Sequence, residues 1–332
     1  MSRDIEVLFL SEGDCSATGL TMRETIKLIE EAFRARGEGN VLVPAKISLD
    51  MGLFGEFGSW GNAMPAYFPS LKVCGMKWIG GNFENPKRHL LPSILGVVVL
   101  NDPETFAPLA ILGGGWLTAM RTGAATAVAA KHLARKDSKT ACIVGAGYQG
   151  RFQLLALNEV LSLDEVRIND VDKGRMEKYV DEMGGKVSVR VRAERDLAEA
   201  VNGADVIVMV TSAEVPLIKL DMVEKGCLIC SLGETNLEFR ATKAMDKIVV
   251  DHLEQSMHMG ELAKWVTQGL LSERDVYCEL GDIVIGRKPS RESAEEKILA
   301  VLYGVASSDI AIASRVYNMA REKGLGTRLG LF

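Results

Sequence analysis

Apolar positions along this chain keep two different rhythms. In the first part the periods mix. Residues 5–10 read as a strand. Residues 21–36 carry Ile26, Ile29 and Phe33 at helical spacing, behind Thr21 and Glu24, which are placed as a capping box. Residues 41–50, 71–79, 93–100 and 108–112 read as strands, and the run LKVCGMKWI at 71–79 alternates residue by residue. A Gly-rich stretch at 52–62 and a loop at 80–92 interrupt them. Residues 117–134 form a helix rich in Ala and Thr, narrow enough for close packing. Beyond it the rhythm is regular. Strands are expected at 141–144, 166–169, 188–192, 206–210, 227–231 and 247–250, alternating with helical stretches such as 173–183, 195–202 and 255–269. That is the βαβ repeat of a doubly wound parallel sheet. Residues 286–294 are a polar loop, and 295–322 read as one helix interrupted by Gly304, Ser307, Ser308 and Asp309.

The regular half opens on a motif. The apolar run at 141–144 leads into Gly145-Ala146-Gly147-Tyr148-Gln149-Gly150, a helical pattern follows, and a second strand ends in Asp170. This order is what a dinucleotide-binding unit requires. Gly145 permits the tight turn, Gly147 lets a pyrophosphate approach the backbone, and Gly150 lets the helix pack on the strand. The helix N-terminus offers free N–H groups to phosphates. Asp170 suits a ribose 2′-hydroxyl and repels a 2′-phosphate, so NAD is favoured over NADP. Lys173 and Arg175 read as surface helix charges.

A nucleotide unit starting near 135 leaves a long mixed segment before it. The expected division is 1–134, joined by the C-terminal helix at about 305–332, and 135–304. A chain of 332 residues with 47% hydrophobic residues supports two cores. Its net charge of −5 speaks against non-specific nucleic-acid binding. No apolar run is long enough to span a bilayer, and the N-terminus lacks a signal-peptide layout. A cytoplasmic protein is expected. The cysteines are scattered. Cys227 and Cys230 sit three apart in an expected buried strand, where they point to opposite faces, so reduced thiols are expected. His258 and Glu261 share a possible helical face without making a metal site.

Three cations stand out before the glycine motif. Lys46 and Lys77 lie on expected strands, and Arg121 lies early in the Ala-rich helix. Buried cations need partners. A bound carboxylate substrate is one solution, held by Arg in a bidentate fork; exposure of the lysines and an ion pair for Arg121 is the other. Glu234 follows an expected strand at the edge where open α/β sheets bind ligands, and suits proton transfer there. Asp309 suits a cap, an ion pair or a contact with Lys77.

At these residues the chain resembles the ornithine cyclodeaminase/μ-crystallin family. The stretches that carry the likeness are MPAY at 64–67, GMKWIGGNFENP at 75–86, LNDPETFAPLA at 100–110, TAMRTGAAT at 118–126, VGAGYQG at 144–150, ELGDIVIGRKPSRES at 279–293 and GLGTRLGLF at 324–332. The resemblance implies a Rossmann domain, a second α/β domain whose mixed sheet makes a homodimer, and an amino or imino acid substrate. It implies substrate contacts from Lys46, Asn62, Met64, Lys77 and Arg121, and catalytic roles for Lys77 and Glu234. The implied NAD contacts are Thr122, Gly145, Ala146, Gly147, Tyr148, Gln149, Gly150, Asp170, Thr211 and Asp309. Two departures bear on substrate. Ornithine-cyclising members carry Glu where this chain has Asn62, and Gly-Gly-Asp where it has Leu232-Gly233-Glu234. A distal amine would then have Glu56 as its next acid.

The reading is an NAD-dependent oxidoreductase acting at the α-carbon of a small amino acid, as amino acid dehydrogenase or as imine or ketimine reductase. The alternatives are a redox-neutral, ornithine cyclodeaminase-type lyase that retains NAD, and a non-catalytic small-molecule binder.

Overall fold

A computed structural model of the chain describes residues 5–54, 58–213, 215–234 and 236–331. The chain divides into two units. One is discontinuous, residues 1–121 with 305–332, and the other runs from 122 to 304. The first division falls inside the helix Gly114–Leu133.

Alternation builds the sheet of the discontinuous unit. Among the described residues its seven strands lie in the order Thr327–Gly330, Glu6–Leu10, Pro108–Gly113, Ile94–Asn101, Val73–Gly81, Trp60–Phe68, Ile47–Asp50. All neighbours are antiparallel except Glu6–Leu10 beside Pro108–Gly113. One face buries Met64, Ala66, Phe68, Val73, Ile79, Val98, Leu100 and Leu112. The helix Ala306–Lys323 packs on that face and on the helix Met22–Gly37. Met22–Gly37 starts with the Thr21–Glu24 capping box and buries Ile26, Ile29 and Phe33, as the period of the sequence implies. The other face of the sheet is apolar and exposed. Ile47, Trp78 and Val97 line one row across the strands, and Leu49 and Leu95 line the next.

Among the described residues the second unit has eight parallel strands, in the order Cys278–Glu279, Lys247–Val250, Ile298–Val301, Leu228–Ser231, Val206–Met209, Thr140–Val144, Glu165–Asn169, Arg190–Ala193. Both faces are covered, so the strands Val206–Met209, Leu228–Ser231 and Ile298–Val301 are buried at every position. The chain order reverses beside Thr140–Val144. Later strands in the sequence lie on one side of it, and Glu165–Asn169 with Arg190–Ala193 on the other.

Several elements differ from the sequence reading. Residues 295–322 are not one helix. Ile298–Val301 is a central parallel strand, and the helix begins only at Ala306. Four successive apolar residues fit a strand buried on both faces as well as a helix. The stretch 255–269 is two short helices, Leu253–His258 and Ala263–Thr267. In 41–50 only Ile47–Asp50 is a strand, preceded by an isolated bridge between Leu42 and Tyr67, because Pro44 has no N–H for a ladder. The loop at 80–92 is shorter than expected, since the strand before it runs to Gly81 and Asn85–Arg88 is a helical turn. All six cysteines are free, and burial pushes the Cys142 and Cys227 thiols up to about 12.

Candidate active site

The discontinuous unit carries a buried charge cluster. Lys77 points from the strand Val73–Gly81 into the apolar face, directly across the ladder from Met64. An ammonium there needs an acid. The first turn of Ala306–Lys323 supplies it: Lys77 Nζ donates to Asp309 Oδ1 at 2.8 Å, and Arg121 Nε donates to the same oxygen at 3.0 Å. Lys77 and Asp309 are fully buried and Arg121 nearly so. Asp309 Oδ2 is buried and makes no hydrogen bond within the protein. One carboxylate therefore faces two cations, and the cluster keeps an excess of positive charge. Burial pushes the Lys77 ammonium down to about 8, Arg121 adds to that, and Asp309 opposes it. Lys46 is buried too, just before the edge strand Ile47–Asp50. Asn62 follows Met64's face two residues away and accepts a hydrogen bond from the Ser48 hydroxyl. Glu56 lies outside the described residues.

The second unit presents its chemistry at the C-terminal edge of the parallel sheet. Gly145 ends the strand Thr140–Val144 with φ +122°, and a Cβ on it would stand 2.6 Å from the Val210 carbonyl oxygen. Both facts demand glycine. At Gly150 a Cβ would stand 2.3 Å from the Gly145 oxygen. Gly147 is different. Its φ is −80° and a Cβ there would meet no protein atom within 4 Å. Neither backbone conformation nor packing requires glycine, so what the missing side chain spares is a ligand over the N-terminus of Tyr148–Val160. That is the geometry of a pyrophosphate site.

Asp170 has a second duty. Its Oδ2 accepts from Ala146 N at 2.8 Å, inside the glycine turn, and its Oδ1 from Asp172 N at 2.9 Å. Each oxygen keeps a lone pair for a ribose hydroxyl. Arg151 braces the turn from the other side, donating to the Ala146 and Gly147 carbonyls at 3.0 and 2.9 Å. Tyr148 is exposed and Gln149 half-buried in the helix's first turn. The buried Thr122 hydroxyl makes no hydrogen bond within the protein. Thr211 follows the strand Val206–Met209, where its hydroxyl accepts from Ala213 N at 3.2 Å. These groups fit a dinucleotide. Asp309, expected among the cofactor contacts, is placed with Lys77 and Arg121.

Glu234 is exposed just past the strand Leu228–Ser231, and the Tyr303 hydroxyl donates to its carboxylate. Burial raises the Tyr303 pKa, with the nearby Glu234 charge adding to it, so the phenol stays protonated. The sequence reading missed Tyr303. Its signal was the apolar run at 298–302, which makes Tyr303 the residue past a strand end. Among the described residues no group of three His, Cys, Asp or Glu side chains is placed to hold a metal. No helix among them is long and apolar enough to cross a membrane.

Known proteins resemble this chain along nearly its whole length. The family described as "Ornithine cyclodeaminase/mu-crystallin family" matches residues 12–324. An alanine dehydrogenase of Archaeoglobus fulgidus is 34% identical over 99% of both chains. A Thermococcus litoralis Δ1-pyrroline-2-carboxylate reductase, solved with NADH and L-proline, superposes with a TM-score of 0.92 at 33% identity, covering 97% of this chain and all of the other. An archaeal alanine dehydrogenase dimer with bound NAD gives 0.91 at 34% identity, covering 99% of this chain and all of the other.

Proposed function

The chain belongs to the ornithine cyclodeaminase/mu-crystallin family, and from that premise we propose an NAD-dependent oxidoreductase acting at the α-carbon of a small amino acid. It works as an amino acid dehydrogenase or, in reverse, as an imine reductase. The observation that carries this reading is the Lys77–Asp309–Arg121 cluster, where two buried cations share one carboxylate oxygen. The substrate carboxylate is the anion that balances the excess charge.

NAD, held over the glycine turn, supplies the hydride acceptor, or as NADH the donor, for the α-carbon. Arg121 and Lys77 fix the substrate carboxylate, and Asp309 holds both cations in place for it. Lys46 adds positive charge to the same unit, and Met64, across the ladder from Lys77, gives the site an apolar wall. Glu234, or a water it orients, takes the proton from the substrate nitrogen during oxidation and returns it during reduction. Asp170 binds the ribose and selects NAD over NADP. Thr122, Ala146, Tyr148, Gln149 and Thr211 complete the cofactor contacts.

The substrate side chain is small and carries no distal ammonium. Asn62 lacks a charge to meet one, and its carbonyl oxygen already accepts from Ser48. The protein is a homodimer, supported by the apolar outer sheet face around Trp78, Val97 and Ile47 and by the archaeal relative's dimer. Six free thiols, four of them buried, suit a reducing cytoplasm.

The test is NADH absorbance with two sets of substrates: 2-oxo acids plus ammonia, and cyclic imino acids. Net NADH oxidation supports the reading. Efficient conversion of ornithine to proline and ammonia without net change in NADH overturns it. Sedimentation of Trp78→Lys as a monomer, beside a dimeric parent, checks the interface.

A further inference from the structure

We infer that Glu261 is the positioning residue for Glu234, fixing the strand-end loop on which the proton-transfer carboxylate stands. The inference rests on the proposed role of Glu234. Glu261 is fully buried. Its Oε2 accepts from the Ser231 hydroxyl at 2.7 Å and from Asn236 N at 2.7 Å, and its Oε1 accepts from Leu237 N at 2.9 Å. Ser231 is the last residue of its strand, and Asn236 and Leu237 lie just beyond Glu234. One carboxylate thus ties down the chain before and after Glu234. Asn236 closes the loop, its side-chain amide donating to Ser231 Oγ at 2.9 Å and to the Glu234 carbonyl at 3.0 Å.

The residue before Glu261 braces the other side. Gly260 has φ +77°, and a Cβ on it would stand 2.8 Å from the Tyr303 ring, whose hydroxyl reaches the Glu234 carboxylate. The next residue, Gly304, is pinned in turn: its N–H donates to Asp251 Oδ2 at 2.5 Å and its carbonyl accepts from Gln255 Nε2 at 3.1 Å. Residues 260 and 261 therefore control both the backbone that carries Glu234 and the phenol that meets its side chain. A buried carboxylate is a costly way to hold a surface loop. Burial pushes its pKa up to about 7, against the lowering by its hydrogen-bond donors. An apolar residue would fill the space without that cost, but it could not accept hydrogen bonds on both sides of Glu234.

A double-mutant cycle tests this. Glu234→Gln is expected to lower kcat about a hundredfold, as loss of a general acid–base does. Glu261→Gln leaves one accepting oxygen, and is expected to lower kcat at least tenfold with NADH affinity and substrate KM changed less than twofold. The double variant is expected to match Glu234→Gln alone, because both changes remove one function. Glu261→Gln with wild-type kcat, beside a slow Glu234→Gln, overturns the inference alone; so does a double variant slower by the product of both effects. Wild-type kcat in Glu234→Gln defeats the role of Glu234 and the inference with it. Should Glu261→Gln fail to fold, Ser231→Ala removes one donor to Glu261, keeps the backbone donors Asn236 N and Leu237 N intact, and enters the same cycle with the same outcomes deciding.

Discussion

The two units of this protein do their chemistry with different materials. The discontinuous unit uses side chains: Lys77 from a strand, Arg121 from one helix and Asp309 from another, buried around one oxygen atom. The continuous unit uses backbone. Its glycine turn offers amides, its Asp170 and Glu261 carboxylates are engaged by main-chain N–H groups, and its Gly147 is kept bare. The first unit is therefore vulnerable where a charge is removed, and the second where a Cβ is added. Charges held by charges are specific about sign, and charges held by amides are specific about place.

The contrast breaks most sharply at Asp309. Asp309→Ala leaves Lys77 and Arg121 buried without their acid, and unfolding by denaturant should show a loss of about 3–5 kcal/mol. A loss under about 1 kcal/mol would mean the cluster is not held by charge. Next is Arg121→Lys. It keeps the sign but loses the planar fork, so kcat/KM for the amino or imino acid should fall about a hundredfold, or about 3 kcal/mol, with NADH affinity unchanged. Wild-type turnover there would remove Arg121 from the clamp.

Gly147→Ala tests the backbone side. The folded protein should hardly register it, by less than about 1 kcal/mol, since only a helix N-cap preference changes. NADH titration should nonetheless show a dissociation constant raised at least about tenfold, or about 1.4 kcal/mol. Gly145→Ala should do the reverse and damage the fold itself. Equal NADH affinity in wild type and Gly147→Ala would place the phosphates elsewhere.

The smallest effect is the pH dependence of stability, and the two units should run in opposite directions. Glu261 has a folded value of about 7, above its ordinary 4.5, so the native state holds its proton longer and stability from this residue falls as pH rises from 4.5 to 7. Lys77 has a folded value of about 8, below its ordinary 10.5, so the unfolded chain holds more protons and stability rises as pH goes from 8 to 10.5. Both ionised groups weigh most on the fold between 7 and 8. Unfolding curves at pH 5, 7.5 and 9.5 should lose the acid-side slope in Glu261→Gln and the alkaline-side slope in Lys77→Met.

The legibility of the sequence follows the same divide. The continuous unit is readable because its interactions are local: turn, helix and Asp170 lie within a short span, and the central parallel strands announce themselves as apolar runs. Two strands escape: Ile298–Val301 reads as helix because a four-residue run carries no period of its own, and Cys278–Glu279 is too short to carry any pattern. The discontinuous unit gives up most of its strands through alternation, though not Trp60–Phe68, half of which lies in or beside the Gly-rich stretch, nor the short exposed Thr327–Gly330; Lys77 and Arg121 stand out through their unusual settings. Asp309 stands out by its apolar helical setting, with a contact to Lys77 as one of three roles open to it; spacing could not choose among them, because the two lie 232 positions apart. Glu261 was seen only as a possible neighbour of His258. Its true partners are main-chain amides, which any sequence has at every position except proline.

That same separation sets an order of events during synthesis. At about 5–20 residues per second, on the order of 10–50 s pass between the making of Lys77 and the making of Asp309. In that interval the ribosome produces the whole of 122–304, whose sheet needs nothing that comes later. The first-made strands must wait with a lysine in their midst, short of the final helix and of the Thr327–Gly330 strand that borders Glu6–Leu10. The unit that begins the chain is thus the last to be finished.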